Sequence, residues 1–256
     1  MANIATIFLA TTALVASTTA GFAYAADPVF ASATAPASIP LFSNQATGAA
    51  PRDWAFQPVR NAPHPTKYAL VRDDELGATV LEGTANAAAG GLIYRFDGDA
   101  RIHSILRFKW KAGGLIASSD PRTKGGDDYV ARVYVTFASD PERAGAKEKA
   151  ENAVAQVLYG ETLPHAALSY VFTHKAALGT IITSPFTQRV KKIVVDADPN
   201  SVGKWKSFTR DIYDDYKRAF GEEPTRISGV AIMVDTDNTG ETTSARFGDI
   251  TLTSRQ

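Results

Sequence analysis

From Trp54 onward the chain consists of short stretches in which apolar and polar residues alternate, interrupted every few positions by Gly, Pro, Asn or Asp. In residues 105–111, Leu106, Phe108 and Trp110 share one face, while Ile105, Arg107, Lys109 and Lys111 share the other. A period of two suits a half-buried strand and not a helix. Further strands are expected at 67–72, 79–83, 92–96, 129–137, 168–173, 179–183, 190–196, 227–234 and 246–253. Most successive pairs have no helix between them, which implies antiparallel pairing rather than βαβ crossovers. The expected fold is mainly β, an antiparallel β-sandwich of jelly-roll-like form with two peripheral α-helices.

The first helix is expected over 140–160. Asp140-Pro141 supplies an N-cap and a Pro at N1, Ala146, Ala150, Ala153, Val154, Val157 and Leu158 form the stripe, and Gly160 ends it. The second is expected over 210–221, where Ile212, Tyr216 and Phe220 recur every four residues before Gly221.

Residues 1–25 carry an apolar run at 4–15 and the small-x-small triplet Ala23-Tyr24-Ala25, the pattern of a signal peptide. The run is shorter than the ~20 residues a bilayer span needs. Export to the periplasm or medium is expected, with no transmembrane segment after signal removal. Residues 26–50, dominated by Ala, Ser, Thr and Pro, have no hydrophobic period and read as a flexible tether. Residues 51–256 are expected to form a single sandwich domain. With no cysteine in the chain, disulfides, thiolate metal sites and Cys nucleophiles are excluded. The 27 basic and 27 acidic side chains cancel, leaving no global field to attract nucleic acid.

Asp235, Asp237 and Asn238 place hard oxygen ligands on one turn, as calcium requires, with Glu241 available to complete the set; capping of the turn's own backbone is the competing reading. Asp127 and Asp128 open a strand whose odd positions, Tyr129, Ala131, Val133, Val135 and Phe137, read as core-facing. Arg132 and Tyr134 then lie on the opposite face, where an Arg beside carboxylates could orient a sugar. Arg210, Asp214 and Asp215 fall within one and a half helical turns, so Arg210 and Asp214 are expected to pair. Trp110 is in phase with the core, and Trp205, leading into the second helix, is the better surface for stacking a sugar ring. The ligand-binding candidates are therefore Asp127, Asp128, Arg132, Trp205, Arg210 and Asp215. The chain has no Gly-x-Ser-x-Gly elbow, His-Glu-x-x-His or P-loop, and His64, His103, His165 and His174 lack metal-ligand spacing.

Five pieces together, 127–135, 168–172, Arg210 with 215–221, 230–240 and 247–250, resemble a bacterial exported family, domain of unknown function 3047, with Asp-Thr-Asp-Asn-Thr-Gly at 235–240 the most specific piece. The resemblance implies extracytoplasmic location and one sandwich-like domain, and it implies no activity. The expected function is a non-catalytic module that binds a glycan or another cell-envelope ligand. The alternatives are a carbohydrate-active hydrolase or lyase on the same scaffold and a structural envelope protein. N-terminal sequencing of the exported protein should read from Ala26, and exported material beginning at Met1 would contradict the signal assignment.

Overall fold

The structure, a computed structural model, describes residues 38–48, 50–140, 142, 145–146 and 164–255. Among these lie β1 (Ala55–Pro58), β2 (Lys67–Asp73), β3 (Ala78–Asn86), β4 (Gly90–Asp99), β5 (Ile105–Ala112), β6 (Arg132–Phe137) and β7 (Ala166–Phe172). They are followed by β8 (Ile181–Thr183), β9 (Val190–Asp196), β10 (Trp205–Asp211), α1 (Ile212–Phe220), β11 (Arg226–Met233), β12 (Thr242–Phe247) and β13 (Thr251–Thr253). One sheet has seven strands in the order β1-β4-β11-β6-β7-β9-β8, and the other has the order β10-β5-β12-β3-β2 with β13 also paired to β5. The chain crosses repeatedly between the sheets, and the apolar faces of both meet in one core.

The alternation seen in the sequence explains that core. Leu106, Phe108 and Trp110 of β5 point into it with Leu81, Val133, Val135, Phe137, Tyr170, Val230 and Ile232. Trp110 is fully buried. Its ring lies 5.3 Å from Phe108 and 4.7 Å from Phe208 of β10, and such pairs contribute about 0.5–1.5 kcal/mol each beyond area burial. Helix α1 begins where Asp211 accepts the backbone N–H groups of Tyr213 and Asp214, and it ends at Gly221, whose φ is 74°. Tyr216 packs inward, 4.5 Å from the Phe137 ring.

Several expectations need correction. The seven-stranded sheet is mixed, because β7 and β9 run parallel; the long connection after β7 through β8 allows this. The stretch expected as one strand at 246–253 is two, β12 and β13, separated by residues 248–250. The second helix starts at Ile212, since β10 carries Arg210 and Asp211 in its pairing with β5. In the first expected helix, residues 141, 143–144 and 147–160 lie outside the described residues, as does all of the signal segment. Part of the expected tether is packed: Ile39 and Phe42 are buried, the Phe42 ring is 5.4 Å from Trp54, and Ser43 Oγ donates to Asp249 at 2.6 Å. Hydrophobic residues spaced too far apart to show a period can still dock singly on a finished core. No helix among the described residues is long and apolar enough to cross a membrane.

A tie between the sheets fixes the end of β11. Tyr68 of β2 donates its hydroxyl to Gly90 O at 2.8 Å and accepts Val234 N–H at 3.1 Å. Thr66 Oγ1 donates to Val234 O at 2.7 Å. Gly83 makes room for this arrangement, because a Cβ there would lie 2.8 Å from Tyr68 Cε1 and 2.9 Å from Val234 Cγ2. Overpacking of this kind costs about 1–3 kcal/mol, so Gly83→Val should lower the melting temperature. A Gly83→Val protein that melts with the wild type would show that the two sheets do not meet this closely.

Candidate functional site

The seven-stranded sheet is buried on both sides where the site lies: every residue of β6 and of β7 is buried. Its outer face carries polar residues in register. Tyr134 of β6 pairs with Ser169 of β7, which pairs with Lys192 of β9, and in the next row Arg132 lies between Met233 of β11 and Val171 of β7. Loops fold over this face and bring carboxylates to the cations. Asp127 and Asp128 arrive from a tight turn at Gly126, where a Cβ would meet Asp120 N at 2.5 Å. Asp235 follows the pinned end of β11.

Two buried ion pairs result. Arg132 Nε donates to Asp235 Oδ1 at 2.9 Å, Nη2 contacts Oδ2 of the same carboxylate, and Nη2 also donates to Asp127 O at 3.3 Å. Lys192 Nζ is hydrogen-bonded to the Asp127 carboxylate and donates to Pro121 O at 3.1 Å. Burial pushes the Lys192 ammonium down to about 8, with the Asp127 charge opposing the shift. Both cations lie against Tyr129, whose ring centroid is 4.4 Å from Arg132 Cζ and 5.4 Å from Lys192 Nζ. Asp128, 1% exposed, accepts from Asn238 Nδ2 at 2.9 Å, Asn238 N at 3.3 Å and Thr239 N at 2.7 Å. Burial raises the Asp237 carboxyl above the usual range, and the neighbouring Asp128 charge raises it further.

A cavity of about 310 Å³ opens over these groups. Arg132, Lys192, Asp127, Asp235, Asp237 and Asn238 give it a polar floor, while Val59, Phe186 and Met233 supply apolar wall. Six of the residues expected from the sequence thus come together: Asp127, Asp128, Arg132, Asp235, Asp237 and Asn238. The face assignment of Tyr129 was wrong. It packs with Val171, Ile182 and Val194 on the outer side, because Asp128 and Tyr129 precede β6 and do not share its alternation.

The other candidates lie elsewhere. Trp205 belongs to β10 in the opposite sheet, where its Nε1 donates to Asp73 at 3.2 Å. Arg210 pairs with Asp215 and not with Asp214, through bonds of 2.8 and 2.6 Å, and Arg218 Nη2 and the buried Tyr170 hydroxyl complete the Asp215 partners. Asp214 pairs with Arg255 instead. The reason is that Arg210 is a strand residue, so helical i,i+4 geometry does not apply to it. Lys192 and Tyr129 were missed. Lys192 falls in phase with Val190 and Val194, and a lysine on a buried apolar face was the available signal.

Oxygen atoms of Asp128, Asp235 and Asp237 lie within 4.8 Å of one another and could hold a cation. Asn238 turns its amide nitrogen toward Asp128 and toward Asp237, at 3.1 Å for the latter. Glu241 is engaged elsewhere, accepting Ala117 N at 3.0 Å and Ser118 N at 2.8 Å. Asp235 faces a guanidinium and Asp128 faces three N–H donors, so a calcium ion would have to displace donors already aimed at two of the carboxylates.

Removing one member of a buried ion pair leaves the other without compensation, which costs about 3–5 kcal/mol. Lys192→Met should therefore destabilise the protein by that amount in denaturant unfolding, even though the methionine is nearly as long. Unfolding at the wild-type midpoint would mean that Asp127 does not depend on Lys192.

No curated protein matches the chain. Among solved structures, a family 11 carbohydrate-binding module from Clostridium thermocellum, in complex with a β-1,3-1,4-mixed-linked tetrasaccharide, is similar at 12% identity and TM-score 0.39, over 80% of this chain and 91% of that one. The xyloglucanase domain of NopAA from Sinorhizobium fredii is similar at 8% identity and TM-score 0.41, over 81% of this chain and 96% of that one. With TM-scores below 0.5 these likenesses carry no argument about ligand or activity. Residues 52–251 fit the family described as "Protein of unknown function (DUF3047)", and the chain belongs to that family.

Proposed function

We propose that this is an exported, non-catalytic binding protein that takes the end of a glycan, or a cell-envelope component of similar polarity, into the cavity on the outer face of the seven-stranded sheet. The cavity carries the proposal. Its volume, about 310 Å³, lies at the small end of the ~300–1,000 Å³ range of small-molecule sites. That suits one or two sugar rings entering end-on and not a chain lying across a flat platform. Its lining has the mixture that sugars require, charged and amide groups for hydroxyls beside apolar and aromatic wall.

Binding fits the site better than turnover. Asp235 and Asp127 are held as acceptors by Arg132 and Lys192, and Asp128 is held by backbone and amide donors. Asp237, raised by burial, is the group that a hydrolase reading would use as an acid.

A glycan array probed with the full chain should show binding to oligosaccharides without release of reducing sugar. Val59→Trp, which fills the cavity from its wall without touching the ion pairs, should weaken that binding about tenfold or more, roughly 1.4 kcal/mol, at an unchanged melting temperature. An array without signal, or a Val59→Trp protein that binds like the wild type, would remove the proposal. Reducing-sugar release abolished by Asp237→Asn would replace it with the hydrolase.

A further inference from the structure

The cavity carries its charges in equal number. Arg60, Arg132 and Lys192 line it as cations, and Asp127, Asp235 and Asp237 line it as carboxyl groups. Arg132 is held by Asp235 and Lys192 by Asp127, and all four side chains are buried. Asp237 is met by its own backbone N–H, by Asn238 Nδ2 at 3.1 Å and by Asp128. Arg60, half-buried in the wall, is the third cation. A charged ligand therefore finds no counter-charge waiting for it. Its charge either stays uncompensated out of water or takes a partner away from one of the buried pairs, and both are costly. An uncharged ligand meets neither cost. A hydroxyl group both donates and accepts, so it can reach the carboxylate and the cation of one pair without separating them. Asn61, Ser184 and Asn238 add uncharged side chains with the same double capacity to the lining. Val59, Phe186 and Met233 supply apolar surface for the C–H groups of a ring.

Resting on the sugar-binding reading above, we infer that the ligand of this cavity is an uncharged sugar, and that the matched charges of the lining exclude sugars carrying a carboxylate or a protonated amine. The ion pairs then set specificity as well as position. A uronic acid would have to draw Arg132 or Lys192 away from its aspartate, and an amino sugar would have to draw an aspartate away from its cation.

Isothermal titration calorimetry of the full chain at about pH 6, where carboxylates are ionised and amines protonated, tests the inference. The probes are galactose, galacturonic acid, its methyl ester and galactosamine, with the corresponding glucose set beside them. In the set that binds, the hexose should bind about tenfold or more tightly than the acid or the amine, about 1.4 kcal/mol. The methyl ester keeps the bulk of the acid and removes its charge, and it should bind within about threefold of the hexose. Arg60→Gln removes one of the three cations and should bring the amine to within about threefold of the hexose. An acid or amine that binds the wild type as tightly as its hexose overturns the inference and leaves the sugar-binding reading intact. So does an ester rejected as strongly as the acid, since size and not charge would then exclude it. Binding of no probe in either set overturns both. An unchanged preference in Arg60→Gln overturns the role of charge matching, and if that variant does not fold, the comparison of hexose, acid, ester and amine on the wild type decides.

Discussion

The site depends on the pairing of Arg132 with Asp235. A guanidinium removed from water is tolerated only when its charge and its N–H groups are met in good geometry. Meeting them here requires a carboxylate from the turn after β11 and a carbonyl from Asp127 to reach the same side chain. Position and chemistry are thereby linked. The turn can present Asp235 only because Tyr68 and Thr66, from the opposite half of the sandwich, hold both backbone groups of Val234. Further along, Thr236 N–H donates to Ala88 O at 2.8 Å, extending the hold by another residue.

Two polar networks share one β-sandwich and serve different ends. The Asp215 cluster receives Arg210, Arg218 and Tyr170 and joins α1 to β10 and β7. The Tyr170 ring lies 5.8 Å from Phe108 in the core. That network locks the helix to the sheets. The network on the outer face has the same kinds of residue but leaves a cavity above them. Bidentate Arg-carboxylate pairing is thus a poor guide to function by itself; the space next to the pair distinguishes the two.

Much of the fold was legible because burial in a sandwich imposes a period of two. β5, β7 and β9 appeared in the sequence with nearly the bounds they have, since their inward residues are large and regularly spaced. β10 was obscured, because Lys206, Ser207, Thr209 and Arg210 surround its one inward aromatic, Phe208. The parallel pairing of β7 with β9 was invisible, since neighbour choice is set by which edges are open once the other strands have paired. Tyr129 was misplaced because alternation was extended into residues that precede the strand.

By itself the sequence determined the class of fold, a helix ending at Gly221, the lack of cysteine chemistry and a short inventory of charged residues able to form a site. It could name Asp127, Asp128, Arg132, Asp235, Asp237 and Asn238, because charges adjoining strand ends and turns stand out against an apolar pattern. Only the tertiary structure decided that these six converge, that Lys192 joins them and that Trp205, Arg210 and Asp215 do not. The physical reason is that convergence is a property of strand order and loop path: Arg132 and Asp235 are 103 residues apart in the chain, and nothing local to either encodes the contact.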